Sequence, residues 1–142
     1  APLHPEKALI VRRTFAEEHE DKHLALIRAL DEACAWCDQV ENRSALVDLL
    51  ARPQYLGLDR DLLKRSLSLS SEQRGVGLDM HVFHRMGVNQ PSSSSALWLL
   101  SEMRDAGLLD GVDLRHMPSV ADIFRADIHD QALNPAGKLK DS

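Results

Sequence analysis

The chain has 142 residues, 44% apolar and 27% charged, which fits the size of one domain and suffices for a core. Its formal charge of -5, with acids and bases interspersed, offers no basic field for a phosphate backbone, so nucleic acid is not an expected partner. Apolar runs such as Ala96-Leu97-Trp98-Leu99-Leu100 fall far short of the roughly 20 residues that cross a bilayer, and the opening Ala1-Pro2-Leu3-His4 lacks the features of a signal peptide.

In chain order, Ala8-Leu9-Ile10-Val11 is a short apolar run bounded by charge and reads as a buried strand. Glu17, Glu18, Glu20 and Asp21 then precede Leu24, Ile27, Leu30, Ala33, Cys34 and Cys37, a helical periodicity whose acidic start suits the positive end of a helix dipole. The longest helix is expected over about 21–39. Asn42 is the expected N-cap of a shorter helix carrying Leu46, Val47 and Leu50, which Pro53 stops. Another helix is expected from Asp59 to Leu67, followed by a Ser/Gly-rich loop over Ser68–Gly77 and a second possible strand at Met80–Phe83.

Ser92–Ser95 supply N-capping for a helix with Ala96, Leu97, Leu100 and Met103, and Gly107 ends it with Leu108 beside the cap. Ser119 and Asp122 form a capping-box pattern ahead of Ile123, Phe124 and Ile128, and the tail beyond Asn134 is expected to fray. The sequence thus predicts a mostly helical chain with one or two short strands. A lone strand cannot satisfy its own backbone hydrogen bonds, so it must pair within the chain or complete a sheet lying outside it.

Few residues suggest chemistry. Cys34-x-x-Cys37 with His81-x-x-His84 has the ligand types of a zinc site, but the cysteines continue an apolar helical stripe, so no metal and no cofactor are expected. As neighbouring reduced thiols they tilt toward a reducing compartment. There is no Gly-x-Ser-x-Gly elbow, phosphate-binding glycine loop or His-Glu-x-x-His helix, and no base is placed to activate Ser92–Ser95, so catalysis is not expected. Lys7, where an extended segment enters the first strand, can set a fixed positive charge at a cleft edge for a small oxyanion.

The run His4-Pro5-Glu6-Lys7-Ala8-Leu9-Ile10-Val11-Arg12-Arg13-Thr14-Phe15 resembles solute-binding proteins of nitrate and bicarbonate ABC transporters. So do Ala33-Cys34-Ala35-Trp36-Cys37-Asp38, Asn42-Arg43, Leu49–Leu56, Phe83-His84-Arg85 and Ala96-Leu97-Trp98-Leu99-Leu100. The resemblance implies an α/β fold of two lobes around a cleft, the type II periplasmic-binding-protein arrangement, with residues 1–132 as its C-terminal portion and 133–142 as the tail. It places the ligand lysine at Lys7 and implies nitrate or nitrite as solute without a metal.

Partners implied by the resemblance are an ABC transporter permease, which means a periplasmic or cell-envelope setting, or an antiterminator protein bound by a cytoplasmic nitrate/nitrite sensor. The chain departs from the family pattern at Ser92–Ser95, where many relatives have basic or aromatic residues, and at Arg104-Asp105-Ala106-Gly107, where they carry Trp-Gly.

Overall fold

The computed structural model describes residues 8–68, 82–113 and 118–134. Its helices are α1 (Arg13–Glu18), α2 (Glu20–Asp38), α3 (Arg43–Leu50), α4 (Arg60–Ser68), α5 (Ser93–Asp105), α6 (Val120–Ile123) and α7 (Ala126–Leu133). Short 3-10 turns at Val40–Asn42 and Arg85–Gly87 complete the regular structure. The chain divides into two compact units, Ala1–Arg28 with Gln90–Ser142, and Ala29–Asn89.

Among the described residues there is no strand, which corrects the expectation at Ala8–Val11. That segment is open coil, and Ile10 is 88% exposed. The physical reason is the one that makes any lone strand unstable: pairing needs a second extended segment, and the described residues supply none. The second strand expectation, Met80–Phe83, falls partly outside the described residues. Its last two positions, Val82 and Phe83, are irregular, and the Phe83 N–H is donated to the Asp38 carboxylate rather than to a neighbouring strand. The loop over 69–77 and the tail beyond Asn134 also lie outside the described residues.

The helix termini follow their local chemistry. Ser92 caps α5 by accepting the Ser95 N–H at 3.1 Å. At its other end Gly107 takes φ +71, with its N–H on the Arg104 carbonyl and the Leu108 N–H on the Met103 carbonyl, both at 2.9 Å. That pair of bonds is a Schellman closure, which needs a left-handed residue and so favours glycine. Ser119 and Asp122 form a complete capping box on α6. The helix expected to run on through Ile128 instead breaks at Phe124 and Arg125, whose backbones leave the helical region, and restarts as α7.

Asn42 departs from expectation. It sits at the N-cap position of α3 but makes no side-chain cap bond, because the 3-10 turn already holds its backbone in a helical conformation. Its side-chain amide turns back instead, donating to the Trp36 carbonyl at 3.0 Å and to Gln39 Oε1 at 2.7 Å. The residue therefore closes the end of α2 rather than the start of α3.

In the second unit, α3 packs on α4 and buries Leu46, Val47 and Leu63. In the first, Ala96 and Ala132 are buried, and His23 lies inside with its ring edge-on to Phe15 at 6.2 Å. There α7 is tied to the start of α2 by Gln131 donating to Glu20 at 2.8 Å and by Arg28 donating to the Ala132 carbonyl at 3.4 Å. Large apolar side chains remain exposed on α2 at Leu26, Leu30 and Trp36, and on α5 at Leu97, Trp98 and Leu99. The stripe expected for α2 is only partly covered: Leu24, Ile27, Cys34 and Cys37 are half-buried, whereas Leu30 and Ala33 are exposed.

Candidate functional site

Lys7, the expected ligand residue, lies outside the described residues, as does His81. The described chain begins at Ala8, and Ala8, Leu9 and Ile10 are exposed. His84 is described, and its Nε2 meets Asp31 Oδ2 at 3.2 Å. Cys34 and Cys37 are free, half-buried thiols one helical turn apart. Burial, with the neighbouring Cys34, pushes the Cys37 thiol up, which disfavours its thiolate. Among the described residues no three His, Cys, Asp or Glu side chains converge on a common point.

The strongest polar centre belongs to the second unit and was not singled out from the sequence. It is built on Asp38, the last residue of α2, whose side chain is 9% exposed. Its carboxylate accepts three consecutive backbone N–H groups: Phe83 on Oδ1 at 3.1 Å, then His84 and Arg85 on Oδ2 at 2.8 and 2.7 Å. Arg85 adds its guanidinium to Oδ1 at 3.2 Å, and Arg43 approaches the same oxygen at 3.7 Å. Arg43 also lies over the Phe83 ring at 5.1 Å and donates to the Leu67 carbonyl at 3.4 Å.

Burial alone would raise the Asp38 pKa. The backbone donors of Arg85, Phe83 and His84, together with the Arg85 charge, outweigh it and hold the carboxyl below the ordinary aspartate range. Chemically this is a lock. Both carboxylate oxygens are occupied, with both guanidinium groups directed at Oδ1, so the cluster fixes the 83–85 loop to the end of α2. One sequence signal could have found it: an aspartate at a helix C-terminus opposes the dipole and calls for donors from elsewhere.

Comparison with known proteins gives consistent relatives. A model described as the NMT1-like family matches residues 2–51. The nitrate import ATP-binding protein NrtC of Synechocystis sp. is 34% identical over 112 residues, covering 75% of this chain and 17% of that protein. The bicarbonate-binding protein CmpA of Synechococcus elongatus is 29% identical over 71% of this chain and 24% of its own length. The nitrate/nitrite binding protein NrtA of the same organism is 27% identical over 98% of this chain and 32% of its own length. The chain thus spans a third or less of the length of each of these three relatives. No solved structure matches significantly. The sequence contains no phosphate-binding glycine loop, so what it shares with the ATP-binding relative lies outside such a loop.

Proposed function

We propose, from the premise that the chain belongs to the nitrate- and bicarbonate-type solute-binding family of ABC transporters, that it serves as a non-catalytic portion of an anion-binding protein. The reading is carried by the similarity to the nitrate/nitrite binding protein, which extends over 98% of this chain. In this reading residues 1–132 form the C-terminal portion of a two-lobed protein that closes on nitrate or nitrite, and a transporter permease reads the closed form. Lys7 supplies a fixed ammonium to one oxygen of the anion, a charge-assisted bond of about 1.5–3 kcal/mol.

The free thiols Cys34 and Cys37 favour a second reading, a cytoplasmic nitrate/nitrite sensor that holds an antiterminator protein and releases it on binding the anion. The two readings share the site and differ in the partner.

Calorimetric titration of nitrate, nitrite and bicarbonate into the full-length polypeptide tests the proposal. Nitrate or nitrite should bind, and Lys7→Ala should weaken that binding by about tenfold or more. Unchanged affinity in Lys7→Ala would remove the lysine from the site. No heat with any of the three anions would overturn the anion-binding reading itself.

A further inference from the structure

The C-terminal end of α2 carries two free thiols, Cys34 and Cys37, spaced three residues apart and both half-buried. On a helix that spacing brings two side chains to the same side, with Cβ atoms about 5–6 Å apart. A disulfide needs about 3.5–4.5 Å between them, so direct closure would require the backbone to move. Two metal–sulfur bonds of about 2.3 Å each span up to about 4.6 Å and can bridge the pair on the helix as it stands.

We infer that Cys34 and Cys37 form a two-sulfur site for a soft monovalent cation of low coordination number, Cu(I). Such a site goes beyond the proposed function and holds whichever anion the protein takes. The donor set selects the ion. Thiolates favour Cu(I), which two ligands satisfy, whereas a structural zinc site takes four. Among the described residues no third His, Cys, Asp or Glu completes a larger cluster. The aspartates that flank the pair on the helix are already engaged: Asp31 meets the His84 ring at 3.2 Å, and Asp38 accepts the backbone N–H groups of residues 83–85.

The charge balance fits a monovalent ion. Binding replaces both thiol protons, which pass to the buffer, and leaves a Cu(I) bis-thiolate with one net negative charge. Arg43 lies within electrostatic reach of Cys37 and favours that charge, whereas the opposing Asp38 carboxylate is countered by Arg43 and Arg85. Because burial and the neighbouring Cys34 disfavour a free Cys37 thiolate, the ion must displace a bound proton, and uptake weakens on acidification.

The test titrates Cu(I) into the reduced 142-residue chain, whose only cysteines are these two, without oxygen and against a coloured Cu(I) chelator. One ion per chain should be withdrawn from the chelator, and X-ray absorption should give the bound copper two sulfur neighbours. Cys34→Ser and Cys37→Ser should each weaken retention by about tenfold or more, because a two-point chelate becomes a single contact, with the far-ultraviolet spectrum unchanged. In the unsubstituted chain, bound Cu(I) should shield both thiols from iodoacetamide, a readout that does not depend on how the serine variants fold.

Failure to withdraw the ion from the chelator overturns the inference. So does equal retention by the Cys34→Ser/Cys37→Ser double variant, which would put the copper on methionine or histidine side chains. Alkylation of either thiol at an unchanged rate with copper bound rejects the pair as its ligands. A single sulfur neighbour in the absorption spectrum reduces the site to one thiol and likewise rejects it.

Discussion

The Asp38 carboxylate takes the His84 backbone N–H at 2.8 Å, joining the end of α2 to a loop 46 positions further along the chain. Because Phe83 and Arg85 give their N–H groups to the same carboxylate, removing it strands several donors at once. Asp38→Ala should destabilise the chain by about 2–4 kcal/mol, since an unsatisfied part-buried donor costs more than the net worth of a hydrogen bond. Asp38→Asn keeps one acceptor oxygen and should cost less. Urea denaturation gives the size of the effect. Hydrogen exchange gives its location: amides of Phe83, His84 and Arg85 should exchange faster in Asp38→Ala, and unaltered rates at all three would refute the lock.

The same anchor has a pH signature. The folded-state pKa of Asp38 is depressed, so its ionised form is the one that folding favours. Its contribution is therefore complete above the unfolded aspartate value of about 3.9 and is lost as pH falls through the lower folded value. The stability gap between the wild-type chain and Asp38→Asn should be constant from neutral pH down to about 5 and should close below about 4. A gap that widened on acidification would mean that the protonated carboxyl is the favoured form.

At the end of α5 the Schellman closure depends on Gly107 holding φ +71. A Cβ there would also approach Asp110 Oδ2 to 3.3 Å, a contact the flexible carboxylate can relieve. Gly107→Ala should accordingly cost about 1 kcal/mol through backbone strain, and Gly107→Asn less, because asparagine tolerates the left-handed region. Thermal melts of the two variants provide the comparison, and an alanine variant as stable as the wild type would show that the cap frays without cost.

Local signals in the sequence were legible where the bond and its cause lie within a few residues. Ser92, the Ser119–Asp122 box and Gly107 all act as their types predict. Asn42 shows the limit of such reasoning: its Nδ2 donates to the Trp36 carbonyl behind it, while its Oδ1 accepts no cap bond from α3, an outcome that the residue type alone does not determine. Ala8–Val11 has strand composition, but a strand exists only through a partner, and the described residues hold none.

The Asp38 cluster was missed because its partners lie 45 to 47 positions away, beyond any periodic pattern. The splitting of the α2 stripe was equally hidden. Apolar spacing puts Leu30 and Cys34 four residues apart on one side of the helix, but it does not show that Cys34 is half-buried and Leu30 exposed. For the ligand site, only Lys7 was legible, through a resemblance, and that residue lies outside the described residues.

Arg43 offers the sharpest test of how the second unit is held together. Its guanidinium lies 5.1 Å from the Phe83 ring centre, 3.7 Å from Asp38 Oδ1 and 3.4 Å from the Leu67 carbonyl, and its side chain is only 12% exposed. A lysine would keep the charge but lose the planar group that stacks and donates in several directions at once. Arg43→Lys should therefore lower stability by about 1–2 kcal/mol, although Arg85 still pairs with Asp38.

The stacking share can be isolated with a double-mutant cycle. Phe83→Leu removes the ring while leaving the backbone N–H of position 83 able to reach Asp38, so coupling between Arg43→Met and Phe83→Leu reports the cation–ring contact. A coupling of about 0.5–1 kcal/mol is expected for this partly exposed cation–ring pair. Strictly additive effects of Arg43→Met and Phe83→Leu in urea denaturation would show that Arg43 acts through Asp38 and the Leu67 carbonyl and that its position over the ring contributes nothing.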